Sequence, residues 1–424
     1  MEGAIALSPS RPNVLMLTPY LPYPPVSGGR SRTYNLLKRL ARDFAFTVVC
    51  FGRPEERAVD VSPLQALCEL IVIKRPSSPS KLRAALLSLT SVKPITMRLY
   101  TSGEFRETVK RLLRVRLFDL IHVESFYMLQ NLPPELPVPV FLSEPAIEYL
   151  AWWRHARVAN PVYQRPALAL EALKMRFFEP QAWSTATLVG AMSEVDAHIV
   201  KRAAPGVPTV LSPNGVDVEY FKPSSIRRDP DSAVFMGDYK YFPNEDAVLY
   251  FTREIMPLIR AKRPNFTLTL LGKDPTPALT RLASDPRNGL RLQGLVEDTR
   301  PYLSRAGLFV CPLRSGSGTR FKLLEALACG CPVVSTSLGA EGLGAQDERH
   351  MRIVDTPRAF ADAVLRLLDD PEEAARLSHH GRSWVVERHS WARSAALLTD
   401  TYLSLIGSED MTAPSPSSRR SRRR

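Results

Sequence analysis

Short apolar runs, each followed by a turn and then a helical stretch, recur along this chain in two successive series. A run with no polar alternation is buried on both faces, which marks a parallel strand, and the intervening helices supply the crossovers such strands require. The first series holds Val14-Leu15-Met16-Leu17-Thr18, then runs at 46–50, 70–73, 120–123, 138–142 and 187–189. Helical periodicity starts near Thr33 and carries Leu36, Leu37 and Leu40. The second series holds runs at 209–211, 233–237, 267–272, 290–292, 308–311 and 332–335, separated by helices near 245–262, 275–284, 298–306 and 320–329. The pattern predicts an α/β chain of two doubly wound, Rossmann-like domains, at 1–204 and 205–386. At 424 residues the chain exceeds what one ordinary core holds and suits two. A last helix is expected over 387–408, opening with Glu387 to Trp391, and a disordered basic tail over 409–424.

The net charge is +13, and Arg419, Arg420, Arg422, Arg423 and Arg424 supply part of it from that tail. No apolar run is long enough to span a bilayer, and Met1 to Leu7 is too short and lacks the basic flank of a signal peptide. Those features lead to an expectation of a cytoplasmic protein. Cys50, Cys68, Cys311, Cys329 and Cys331 are scattered, without the spacing of a metal site or disulfide framework, and read as small buried apolar residues. The segment 81–116 is strongly basic, with Lys81, Arg83, Arg106, Lys110, Arg111, Arg114 and Arg116 set against Glu104 and Glu107, and it keeps apolar faces. Such a stretch fits either contact with an anionic membrane or the solvated outside of a packed helix.

One junction carries chemistry. Ser315-Gly316-Ser317-Gly318-Thr319 runs into the helical segment Arg320 to Cys329, which stops at Gly330. Ser317 or Thr319 is suited to cap this helix, and Gly330 to a left-handed turn at its end. Arg320 and Lys322 fall in the first turn, where the helix dipole disfavours cations unless an anion lies at the mouth. Glu325, one turn on, is placed to accept hydrogen bonds from vicinal hydroxyls. Phosphate beside a diol describes a nucleotide sugar; the plainer alternative is a loop-to-helix junction with Lys322 and Glu325 as an ordinary helix pair.

Five features in order, Ser27-Gly28-Gly29-Arg30, Ser212 to Asp217, Gly237 with Tyr241-Phe242-Pro243-Asn244, Gly294 to Asp298, and the junction just described, resemble the retaining glycosyltransferases of family four. Such enzymes have the GT-B fold, two Rossmann-like domains facing across a cleft, and are associated with polysaccharide and exopolysaccharide biosynthesis. The resemblance implies that Glu325 binds the donor ribose and that Gly316, Ser317, Gly318 and Thr319 give amides to the sugar and diphosphate. It implies that Gly28, Gly29 and Gly237 admit the donor closely, that Val296 lies against the base, and that the last helix crosses back to the first domain. Arg320 and Lys322 would stabilise the leaving diphosphate.

Three positions depart from the family. Ser317 stands where a first Glu is usual. Only Lys240 follows Gly237 where Arg and Lys are expected. Pro145 falls where a His is frequent; His122, at the end of the preceding run, is either its catalytic replacement or a strand-end His without catalytic duty, and Glu144 and Glu148 are candidates for touching the acceptor. The reaction implied is metal-independent transfer of a sugar, with retention, from a nucleoside diphosphate to a lipid-linked or saccharide hydroxyl. No cofactor beyond the donor and no nucleic-acid partner is expected. Asp229-Pro230-Asp231 reads as a loop ahead of a strand rather than a metal motif. A non-catalytic sugar-nucleotide binder is the alternative; a dinucleotide oxidoreductase would carry Gly-x-Gly-x-x-Gly after the first strand, where Thr18-Pro19-Tyr20-Leu21 stands.

Overall fold

The computed structural model describes residues 11–76, 87–159 and 162–407. Met1 to Leu7, Lys81, Arg83 and the arginine tail lie outside them.

Two all-parallel sheets account for the apolar runs. The first has seven strands: β1 (Asn13–Thr18), β2 (Ala45–Gly52), β3 (Glu69–Lys74), β4 (Leu120–Glu124), β5 (Val140–Glu144), β6 (Leu188–Ala191) and β7 (Thr209–Leu211), ordered β3-β2-β1-β4-β5-β6-β7. The second has six: β8 (Asp229–Met236), β9 (Thr267–Leu271), β10 (Leu290–Gly294), β11 (Ala306–Cys311), β12 (Val333–Ser335) and β13 (Arg352–Ile353), ordered β10-β9-β8-β11-β12-β13. Central strands are buried end to end, as in β4 and β5, because helices cover both faces. In each sheet the order reverses beside the first strand, between β1 and β4 and between β8 and β11. Ligands of doubly wound sheets bind at the carboxyl ends of strands flanking such a reversal.

By packing, the chain forms two compact units. One comprises 1–145, 173–212 and 395–424; the other comprises 146–172 and 213–394. The division differs from the boundary expected near residue 204. Thr209–Leu211 pairs with β6 and so completes the first sheet instead of opening the second. Helix α3 (Glu148–Val158) packs with the second unit.

Helix α1 spans Gly28–Leu40 and α2 spans Gly103–Val115. Thus α1 begins at its two glycines, ahead of the onset expected at Thr33. After α3 come α4 (Arg165–Trp183), α5 (Phe242–Tyr250), α6 (Phe321–Ala328), α7 (Pro371–Arg388) and α8 (Trp391–Gly407). Glu387 and Arg388 end α7; the last helix starts only at Trp391, and its residues from Ala395 onward belong with the first unit. Asp229-Pro230-Asp231 is the start of β8, not a loop, and Asp231 is paired with Arg263. All five cysteines are free and buried.

Candidate donor site at the mouth of helix α6

The loop from Leu313 to Arg320 leaves β11 at the reversal point of the second sheet, and the scaffold holds it by its oxygens. Thr336 Oγ1 donates to Leu313 O at 2.6 Å, and Arg314 is fixed to Asp246 at 2.7 Å while stacked over Tyr250. Arg154 Nη1 donates to Gly316 O at 3.0 Å. Arg320 Nη1 donates to Ser317 O and, at 2.7 Å, to Gly318 O. Asn214 Nδ2 donates to Thr319 Oγ1. The backbone amides from Gly316 to Lys322, by contrast, donate to nothing among the described residues. A loop with several of its oxygens engaged and its amides free can receive an anion.

Gly316 makes the turn possible. Its φ is +101°, and a Cβ would lie 3.2 Å from both Arg320 Nη2 and Tyr241 Oη. Gly330, at φ +65°, closes the other end of α6 as the sequence predicts. The start of the helix differs from expectation. Neither Ser317 nor Thr319 caps it; Arg320 is the N-cap and gives no side-chain cap bond. Thr319 spends its hydroxyl on Asn214 instead.

Arg320 is the decisive side chain. It is 8% exposed, yet its Nε and Nη2 have no partner among the described residues. Leaving two buried donors of a cation unpaired costs several kcal/mol unless a ligand completes them (each about 1–3). Beside it, Lys322 donates to Asn244 Oδ1 at 2.7 Å and sits 4.2 Å from the centre of the Phe235 ring. Burial pushes its pKa down to about 8. Asn244 in turn donates to Asp238 O at 2.9 Å, and it occupies the space a side chain at Gly237 would need, 2.6 Å from that Cβ position. Gly237 therefore serves Lys322 by making room for Asn244. The carboxylate of half-buried Glu325 makes no hydrogen bond among the described residues, and burial raises its pKa to about 7 despite the nearby Lys322.

Glu148 belongs to this neighbourhood rather than to the first unit. It opens α3, burial raises its pKa to about 7, and its charge acts on Tyr241, as does that of Arg320. Helix α3 is docked by His155, stacked 4.3 Å from Phe242, and by Arg154, which pairs with both carboxylate oxygens of Glu341 at 2.6 and 2.7 Å. Val296 packs half-buried on the core of the second unit.

The other sequence candidates lie in the first unit. His122 is 0% exposed, bonded through Nε2 to Glu124 at 3.1 Å and through Nδ1 to Tyr402, with Phe141 against its ring. Both ring nitrogens are thus engaged inside the core of the first unit. Glu144 is likewise internal, accepting from Trp183 Nε1 at 3.0 Å and from the Phe126 amide. Gly29 faces Tyr20, whose hydroxyl would be 2.5 Å from a Cβ there, so packing also favours a glycine at this position. Gly28 lies exposed at the start of α1. Asn214 and Asn244 fall inside two of the motifs but were given no role from sequence, and nothing in polar identity or spacing distinguishes Arg154 and Glu341.

Residues 230–370, which hold β8 to β13 and the α6 mouth, match the family model described as glycosyl transferases group 1. Curated relatives include a GDP-mannose-dependent alpha-(1-6)-phosphatidylinositol monomannoside mannosyltransferase of Mycolicibacterium smegmatis, 28% identical over 44% of this chain and 54% of that protein. A phosphatidyl-myo-inositol mannosyltransferase of Mycobacterium tuberculosis is 27% identical over 52% of this chain and 61% of the relative. D-inositol 3-phosphate glycosyltransferase 2 of Catenulispora acidiphila is 31% identical over 50% and 53%. The chain spans about half the length of the curated relatives it matches. Among solved structures, sucrose-phosphate synthase from Thermosynechococcus elongatus superposes with a TM-score of 0.72 at 18% identity, covering 93% of this chain and 99% of that one. Anabaena HepE in complex with UDP gives 0.62 at 13% identity, covering 93% and 100%. The fold is that of the GT-B glycosyltransferases.

Proposed function

We propose that the protein is a retaining glycosyltransferase that moves a sugar from a nucleoside diphosphate to a hydroxyl acceptor without a metal ion. The observation that carries this reading is the pair of unpartnered donors on buried Arg320, at a helix mouth whose loop amides are also free. Diphosphate there would take Arg320 Nε and Nη2, the Lys322 ammonium and the amides of the loop, and Glu325 would accept from a ribose diol. The bond from the anomeric carbon to the phosphate oxygen breaks, and its electrons go to the diphosphate. A bond from that carbon to the acceptor oxygen forms on the same face, and the acceptor proton passes to the departing phosphate. The fixed positive groups stabilise the charge that develops on the leaving group, the work a metal would otherwise do. Names of the relatives favour a phosphoinositide or inositol-phosphate type of acceptor, and a lipid-linked acceptor suits the exposed Lys110, Arg111 and Arg114 beside Val115 and Leu117, 69% and 92% exposed. No helix among the described residues is long and apolar enough to cross a membrane, so contact with an anionic surface would be peripheral.

Calorimetry with UDP, GDP, ADP and their sugar conjugates tests the reading. One diphosphate should bind best, EDTA should change nothing, and turnover should release that diphosphate. Binding that survives both Arg320→Ala and Glu325→Ala puts the donor elsewhere. Binding without any release of nucleoside diphosphate leaves a non-catalytic sugar-nucleotide binder.

A further inference from the structure

Helix α3 reaches the donor loop through one side chain. Arg154 donates to Gly316 O at 3.0 Å while Glu341 takes the guanidinium in a bidentate pair at 2.6 and 2.7 Å. The pair is sheltered, with side chains 23% and 28% exposed, so water competes weakly for it. Across a trans peptide the carbonyl and the following amide point in opposite directions, and the bond from Gly316 to Ser317 is trans. Holding Gly316 O therefore also aims the Ser317 N–H, which has no partner among the described residues. That peptide plane turns about ψ of Gly316 and φ of Ser317, and a glycine, lacking Cβ, restricts ψ little. Without an outside hold the plane is free to rotate and present an oxygen, which repels phosphate, where an amide is needed.

We infer that Arg154 is a positioning residue of the donor site: it orients the Gly316–Ser317 peptide so that its N–H meets the diphosphate, and Glu341 holds Arg154 in register. The inference rests on the donor-site reading above and extends it to two residues that touch no substrate. A bidentate pair plus a third contact needs the planar fork of arginine, and a lysine point charge satisfies only one of these demands at a time. Because the two residues act as one unit, losing the second after the first has little further effect.

The test is calorimetric titration of whichever of UDP and GDP the parent binds, together with the corresponding nucleoside monophosphate, on Arg154→Ala, Arg154→Lys, Glu341→Ala and the Arg154→Ala/Glu341→Ala double variant. Thermal melting is followed alongside. The expected result is tenfold or greater weakening for the diphosphate in Arg154→Ala, a smaller loss for the monophosphate, incomplete recovery in Arg154→Lys, and a double variant no worse than Arg154→Ala. A merely structural role would lower the melting temperature and weaken both nucleotides alike. Unchanged diphosphate affinity in a folded Arg154→Ala, or equal losses for both nucleotides, overturns the inference and leaves the donor site standing. A parent protein that binds neither diphosphate overturns both. If Arg154→Ala does not fold, Arg154→Lys carries the same comparison.

Discussion

Lys322 holds its ammonium 2.7 Å from the side-chain oxygen of Asn244 and 4.2 Å from the centre of the Phe235 ring. Neither contact carries a formal charge, and burial lowers the lysine's pKa to about 8 although the charge of Glu325 acts against that shift. Lys322→Met should therefore cost diphosphate affinity tenfold or more while stabilising the free protein, by about 1–3 kcal/mol at neutral pH. The sign follows from linkage. The charged lysine is disfavoured on folding, so the gain from removing it is full below the folded value near 8 and disappears as pH rises past the ordinary value of 10.5. Melting curves at pH 7 and pH 10.5 check this; a variant less stable than the parent at pH 7 refutes it.

Donor binding should itself depend on pH. Glu325, raised to about 7, must be ionised to accept from a diol, and Lys322, lowered to about 8, must be protonated to attract phosphate. Affinity should thus be greatest between about 7 and 8 and fall on either side. Calorimetry in buffers of different ionisation enthalpy should show proton release below that window and proton uptake above it. In Glu325→Gln the acid-side fall should vanish.

Arg320 offers a sharper contrast between charge and shape. Its Nη1 secures Ser317 O and Gly318 O while Nε and Nη2 remain for a ligand. Arg320→Ala should weaken diphosphate binding tenfold or more. Arg320→Lys should recover only part of that, since one ammonium cannot both hold the loop and meet the phosphate. Full recovery by lysine would mean that the guanidinium geometry is irrelevant.

His122 should prove structural. Its ring is bonded to Glu124 and Tyr402 inside the first unit. His122→Phe should lower stability by about 1–3 kcal/mol, the usual cost of leaving buried polar partners short. The turnover of the folded variant should stay close to that of the parent. A loss of roughly a hundredfold in kcat, as expected for removal of a general acid or base, would restore a catalytic assignment.

These contrasts mark where the sequence was readable. Runs such as Val14 to Thr18 and Leu308 to Cys311 announce buried parallel strands because nothing but apolar contact is asked of them. The turn at Gly316 was legible because a glycine in a loop before a helix commonly takes a positive φ, as it does here. Thr209–Leu211 was misassigned because a short strand carries no mark of which sheet it joins. Arg154 and Glu341 were invisible for a related reason: they meet across 187 positions of sequence, and neither belongs to a local pattern. His122 lies in the middle of β4 with its ring against the buried tyrosine of a distant helix, a partner that no local pattern announces.

Glu148 allows the two halves of the reaction to be separated. It stands at the start of α3 near Tyr241, and burial raises its carboxyl to about 7. If it orients the acceptor hydroxyl, Glu148→Gln should leave diphosphate affinity within about twofold of the parent, well under the 1.4 kcal/mol of a tenfold change. Transfer to the acceptor should fall much further, with the loss in kcat rather than in the donor KM. The variant should also be more stable than the parent above pH 7, because the penalty of burying a carboxylate is present there and absent below the ordinary value of 4.5. Equal losses in donor affinity and transfer would move Glu148 from the acceptor to the donor side.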